Sequence, residues 1–141
     1  MTAKEFLLQY WQAELVVSRL AAEYDEQLEM VDNIRSPLSG DGTPHSSDVS
    51  NPTEQKAAEL EEKTGEYKQA QLDALEMRQT VLDVVQRVPG ILGEILYQRY
   101  INLDGKRLRT LDDIADGINY TRRRVEQLHG EALEYVKKLL F

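Results

Sequence analysis

The sequence predicts an all-α chain: a long antiparallel, coiled-coil-like helical hairpin over residues 1–88, then a small helix-turn-helix domain over 89–141. Three observations predict it. Residues 2–34 contain no Gly or Pro and carry apolar side chains at alternating three- and four-residue spacing. Residues 52–88 repeat that spacing behind a strong helix-start signal. Residues 110–136 read as two short helices, each opened by a threonine, with a break at Gly117-Ile118-Asn119-Tyr120.

The first helix has a seam of Ala3, Phe6, Tyr10, Ala13, Val17, Leu20, Tyr24, Gln27, Val31 and Ile34, nine of the ten being apolar. Leu7, Ala21 and Leu28 flank the seam and widen the stripe. Its simplest use is as a packing face. Tyr10 and Trp11 read as core or interface residues rather than as anchors for a foreign partner.

Residues 35–51 hold two Pro, two Gly and five Ser in seventeen positions, which no helix sustains. They form the expected loop, longer than most helix-helix connections. His45 lies in it without a second metal ligand nearby. Asn51-Pro52-Thr53-Glu54 then combines a capping side chain, Pro at the first position and an acid at the third.

The second long helix carries the seam Leu60, Lys63, Tyr67, Ala70, Ala74, Met77, Val81, Val84 and Val88, with Lys63 interrupting its apolar register. At 1.5 Å per residue both helices are roughly 50 Å long, and an antiparallel hairpin is the simplest packing. Two seams leave Leu72, Leu75, Leu82 and Val85 without cover. Either hairpins associate, or the C-terminal domain docks on this one.

Val88-Pro89-Gly90 is the expected boundary between the two domains. A third helix over Ile91–Ile101 presents Ile91, Leu92, Ile95, Leu96 and Tyr100. Thr110 caps a fourth helix with Asp113 in its first turn, and Leu111, Ile114, Ala115 and Ile118 form its apolar face. Asn119 is the residue best suited to a left-handed turn. Thr121 caps the last helix, whose inner face is Val125, Leu128, Ala132 or Leu133, Val136 and Leu140. Arg122, Arg123, Glu126 and Gln127 are left on its outer face. A helix-turn-helix places such positions in the major groove of DNA.

The formal net charge is −8, but it is unevenly spread. Residues 1–90 hold 8 Lys/Arg and 17 Asp/Glu, whereas residues 91–141 hold 9 and 8. Positive charge therefore gathers around the last two helices. The acidic remainder weakens non-specific DNA binding, which depends on neutralising phosphates. There is no cysteine, which excludes disulfides and thiolate metal sites and fits a cytoplasmic protein. No apolar run approaches the ~20 residues that span a bilayer, so no membrane partner is expected. The first residues mix acids with apolar positions and do not read as a signal peptide.

Leu96-Tyr97-Gln98-Arg99-Tyr100, Thr110–Ala115 and Tyr120-Thr121-Arg122-Arg123-Arg124-Val125-Glu126-Gln127-Leu128-His129 resemble the fourth region of sigma-70 factors, which reads the promoter −35 element. The opening Met-Thr-Ala-Lys-Glu-Phe-Leu, the Ser/Pro-rich loop and the run from Arg99 to Leu133 are similar to a narrower group. These are small sigma-like phage and prophage proteins of Gram-positive bacteria, relatives of the ArpU-type late transcriptional regulators.

The resemblance implies that Thr121 caps a recognition helix and that Arg122, Arg123, Glu126 and Gln127 approach bases. It implies that Arg124 reaches phosphate or a base, and that Arg107, Arg109 and Thr110 touch phosphate. Arg forks suit guanine, Gln suits adenine and Glu accepts from cytosine. Two positions depart from the sigma pattern. Sigma factors usually carry a base at the position of Glu126 and an acid at that of Arg123, so their −35 sequence does not transfer. The polymerase-binding helices of a complete sigma factor have no counterpart, so the chain is not expected to act as one alone.

The expected function is a sequence-specific DNA-binding regulator of phage or prophage genes. Double-stranded DNA is its partner, host RNA polymerase a candidate second one, and the hairpin its site of homo-oligomerisation. Two alternatives belong to other classes. A small-terminase-like packaging or assembly protein would form a ring of roughly 8–10 subunits. A helical interaction protein with a degenerate helix-turn-helix would use the arginine run only as a solvated face. An enzyme is not expected. There is no Gly-rich phosphate loop, Asp112/Asp113 is explained by the helix dipole, and no catalytic residue, cofactor or metal set can be assembled. His129, three residues from Glu126, reads either as a group near phosphate or as a packed side chain.

Overall fold

The computed structural model describes the backbone of residues 1–35 and 52–141. The expected loop, with His45 and the Asn51 cap, lies outside the described residues but for Arg35. Within them the chain is all-α: α1 (Ala3–Arg35), α2 (Pro52–Gln86), α3 (Gly90–Leu96), α4 (Leu111–Ile118) and α5 (Arg122–Leu140). A π-helical turn, Tyr97–Ile101, continues α3. No strand occurs among the described residues.

Helix α1 opens with a reciprocal capping box. Thr2 Oγ1 accepts from the Glu5 amide at 3.1 Å, and Glu5 Oε2 accepts from the Thr2 amide at 3.0 Å. Helices α1 and α2 run along each other in opposite directions. Tyr10 lies beside Arg78, Lys63 Nζ meets Glu23 Oε2 at 2.9 Å, and Tyr24 stacks on Tyr67 with ring centroids 6.0 Å apart. Lys63, the break in the apolar seam, is therefore answered across the interface by Glu23. That pairing holds the carboxyl of Glu23 below, and the ammonium of Lys63 above, its usual range.

Two helices alone bury little. Ala3, Val31, Ala70, Ala74, Val81, Val84 and Val88 of the two seams are buried, while Tyr10, Val17, Leu20, Tyr24, Tyr67 and Met77 are half-buried. The largest core forms where α3, the π turn and α5 sit on the free ends of α1 and α2. There Leu7, Val81, Val84, Val85 and Val88 pack with Leu96, Tyr100, Ile101, Ala132 and Val136. Leu7, which the spacing predicts as a flank, is fully buried. A second core joins Ile95 to Ile114, Ala115, Val125 and Leu128. The C-terminal helices thus cover Val85 and Leu82, while Leu72 and Leu75 keep 55% and 64% exposure.

The break at Val88-Pro89-Gly90 is present, with Gly90 at φ +63°, but the hydrophobic core runs across it. Gly93 is what lets the two sides meet. A Cβ there would stand 2.2 Å from the Val88 carbonyl oxygen, so only glycine allows this approach.

The third helix departs from the uniform α-helix expected over 91–101. The Asn102 amide donates to the Tyr97 carbonyl at 2.9 Å, one residue wider than an α turn. The consecutive residues Tyr100 and Ile101 of this turn are both buried, whereas the expected apolar face included Tyr100 alone.

Candidate nucleic-acid interface

Helices α4 and α5 are joined by a three-residue turn whose geometry is set locally. Thr110 Oγ1 accepts from the Asp113 amide at 3.1 Å and caps α4. Asn119 adopts the left-handed conformation at φ 58°, ψ 39°, and the Tyr120 amide returns to the Ala115 carbonyl at 2.9 Å. Thr121 Oγ1 then accepts from the Arg124 amide at 3.2 Å and starts α5. Val125, Leu128, Ala132 and Val136 of α5 are buried, with Leu133 and Leu140 half-buried. Ala132 is thus the inner of the two adjacent candidates.

That burial leaves Arg122, Arg123, Arg124, Glu126 and Gln127 exposed on the opposite face. Their environments differ. Arg122 Nε donates to Glu126 Oε1 at 2.9 Å, and its Nη1 donates to Asp112 Oδ2 at 3.0 Å. Arg122 therefore ties the first turn of α5 to the first turn of α4. The bond to Glu126, followed by the charge of Asp112, holds its guanidinium above even the ordinary arginine range. Arg124 Nη1 donates to Gln127 Oε1 at 3.4 Å, a long and weak bond. Among the described residues, Arg123 has no side-chain hydrogen bond or ion pair.

The local electrostatics of this turn are unfavourable. Positions Arg122, Arg123 and Arg124 are the first three of the helix, and its first turn contains no acid. A helix N-terminus carries positive partial charge and stabilises anions. Three cations there run against the dipole and repel one another. Asp112 and Glu126 compensate Arg122, and nothing comparable among the described residues compensates Arg123.

The remaining predicted site residues lie in or beside the 102–109 segment. Asp104 and Arg107 pair through their backbones, with N···O distances of 2.8 and 3.1 Å, across Gly105 at φ +63°. The Arg107 side chain is exposed. Arg109 is half-buried, and its Nε donates to the Asn102 carbonyl at 2.8 Å, so its guanidinium closes this loop. Thr110 and Thr121 use their hydroxyls as the expected caps, so the Thr110 hydroxyl, which the resemblance also sets against phosphate, is engaged by the Asp113 amide.

Two residues outside the expected site position this loop. Trp11 Nε1 donates to the Lys106 carbonyl at 3.1 Å, fixing the loop to α1. The Arg99 guanidinium donates to the Arg109 carbonyl directly before the Thr110 cap. The spacing reads Trp11 only as a packing residue. Nothing in the sequence links it to a residue 95 positions away.

His129 is a packed side chain. Its ring stacks on Tyr100 with centroids 5.7 Å apart, and Nε2 shares a 2.8 Å hydrogen bond with the Tyr100 hydroxyl. Burial, followed by the charges of Arg99 and Lys4, lowers its pKa from 6.5 to about 4. Burial also raises the Tyr100 phenol, with Arg99 opposing the rise. His129 is therefore neutral near pH 7 and packs as a wedge against Tyr100.

Comparison of the chain with protein-family models, curated proteins and solved structures gives no match in any of the three. Among the described residues no helix is long and apolar enough to cross a membrane.

Proposed function

We propose that the chain is a sequence-specific DNA-binding regulator of phage or prophage genes, with α4, the turn and α5 acting as a helix-turn-helix and α5 entering the major groove. The observation that carries this reading is the arginine run on the first turn of α5, in which acids compensate Arg122 alone among the described residues. Natural sequences depart from local consistency mainly where function requires it. A polyanion relieves this departure, because its phosphates sit where the dipole and the guanidiniums both favour negative charge.

In this reading Arg123 and Gln127 approach base edges and Arg124 reaches phosphate or a base. Arg122 and Glu126 act as a pair whose shared hydrogen bond presents an oriented fork and an acceptor. Arg107 provides a backbone contact from the neighbouring loop. Arg109, Thr110, Thr121, Arg99 and Trp11 hold these groups in position. The resemblance to sigma region four and ArpU-type regulators points the same way, and host RNA polymerase is the second partner it implies. The α1–α2 hairpin serves as an association arm, and its acidity keeps it off the DNA.

In vitro selection of bound DNA from a random library, at two salt concentrations, tests the reading. An enriched motif is expected, with affinity falling as salt rises. Arg123→Ala should relax selection at one or two positions and cost about 1–3 kcal/mol of specific binding. Arg124→Ala should lower the salt slope by about one charge if that side chain contacts phosphate. Failure to enrich any motif, with no salt-dependent binding, overturns the assignment.

A further inference from the structure

One face of the α1–α2 arm continues past the docked C-terminal helices and is left open. On α2, Leu75, Leu82 and Val85 share a stripe at seven- and three-residue spacing. The C-terminal helices cover Val85 and Leu82 and stop short of Leu75. Leu72 and Leu75 line an open groove between the two helices, floored by Val17 and the buried Ala74 and flanked by Glu14 and Lys68.

The charges on this groove are ordered along its length. With Tyr10 beside Arg78 and Tyr24 on Tyr67, Glu14 stands level with about Leu75. Lys68 lies roughly 10 Å further along the arm, at 1.5 Å per residue. Leu72 falls between them.

We propose that this groove binds the same groove of a second copy of this chain, with the two arms antiparallel about a two-fold axis near Leu72. A two-fold contact requires a self-complementary patch. An apolar centre with an acid at one end and a base at the other meets that requirement in one orientation. Antiparallel arms set each Glu14 against the Lys68 of the other copy, whereas parallel arms set like charge against like. The pair forms a four-helix assembly that covers Leu72 and Leu75 and carries the two α4–α5 units toward opposite ends. This inference rests on the arm as the element of association and not on α5 reading DNA.

Sedimentation equilibrium of the full chain without DNA tests it. A reversible monomer–dimer equilibrium is expected. Leu75→Glu, at an exposed position, should abolish the dimer while leaving helical content unchanged, with a melting temperature that no longer depends on concentration and equals that of the wild type diluted to monomer. Glu14→Lys or Lys68→Glu should each weaken the dimer roughly tenfold, because symmetry alters both ion pairs at once. The double reversal, Glu14→Lys with Lys68→Glu, should restore it. The chain has no cysteine of its own, so Leu72→Cys should give a disulfide-linked dimer under mild oxidation. A chain that stays monomeric at every concentration, a higher ring, or a dimer insensitive to both Leu75→Glu and charge reversal would overturn the proposal. A dimer that behaves as expected yet selects no DNA motif would count against the reading helix alone.

Discussion

The His129 ring offers a direct test of how the C-terminal helices are held. Its pKa in the folded chain is about 4, against an ordinary 6.5. A histidine lowered in this way binds fewer protons folded than unfolded between those two values. Its contribution to stability is therefore complete above about pH 6.5 and is lost as the pH falls toward 4. The full difference corresponds to about 3 kcal/mol, and solvent reaching the ring reduces this to roughly 1–2 kcal/mol. Urea unfolding of the wild type and of His129→Gln, followed by circular dichroism from pH 7.5 to 4.5, separates this histidine from the carboxylates, which titrate in both. The wild type should lose roughly 1–2 kcal/mol more than the variant across that range. Lys4→Gln removes one of the two opposing cations and should make the wild-type loss shallower. Parallel pH profiles for wild type and His129→Gln would falsify the view that a neutral ring wedged against Tyr100 is needed to seat α5.

Three further outcomes follow from single contacts. Gly93→Ala sets a methyl against the Val88 carbonyl oxygen, and thermal melts should register a loss of about 1–3 kcal/mol. Trp11→Phe keeps most of the apolar surface but removes the donor to the Lys106 carbonyl; it should cost about 1 kcal/mol and speed amide exchange in residues 104–108. Thr121→Asp keeps a capping oxygen and adds an anion beside the three arginines; it should raise stability by about 0.3–1 kcal/mol while lowering DNA affinity in a gel-shift titration. A parallel rise or fall of both quantities would show that the arginine run is tuned for folding rather than for a polyanion.

What could be read from the sequence was whatever is decided within one or two turns of chain. Thr110 and Thr121 cap because a hydroxyl before a helix meets the amide three residues on, and Asn119 turns left-handed because its short polar side chain tolerates that conformation. The inner face of α5 follows from spacing alone, although only packing decides between Ala132 and Leu133. The contacts hidden from the sequence join distant segments. Leu7 reads as a flank until α3 and α5 cover it. Trp11 reads as a seam neighbour until the Lys106 carbonyl arrives. Gly93 carries no turn signal, because its need for a missing Cβ comes from Val88 passing beside it. The π turn leaves no periodic trace, since it is a single turn closed one residue wider at the end of a short helix. Arg109 shows the same limit at the site, because a base near a helix start matches phosphate binding and loop closure equally well until Asn102 is seen to accept from it.

These long-range contacts explain how the chain tolerates the first turn of α5. Three consecutive arginines at a helix N-terminus oppose the dipole, and an isolated helix opening this way would be poorly nucleated. The cost is offset from two sides. On the surface, Asp112 and Glu126 hold Arg122, and Thr121 satisfies the Arg124 amide. Beneath it, Val125 and Leu128 are locked against Ile95, Ile114 and Ala115, while Ala132 and Val136 extend into the core shared with α1 and α2. The arm therefore does more than extend the molecule: it supplies apolar surface that a helical unit of about fifty residues lacks on its own. Removing the arm should loosen α5 at its far end first, where Ala132 and Val136 depend on it. The Thr110 and Thr121 caps, which are built from neighbouring residues, depend on it least.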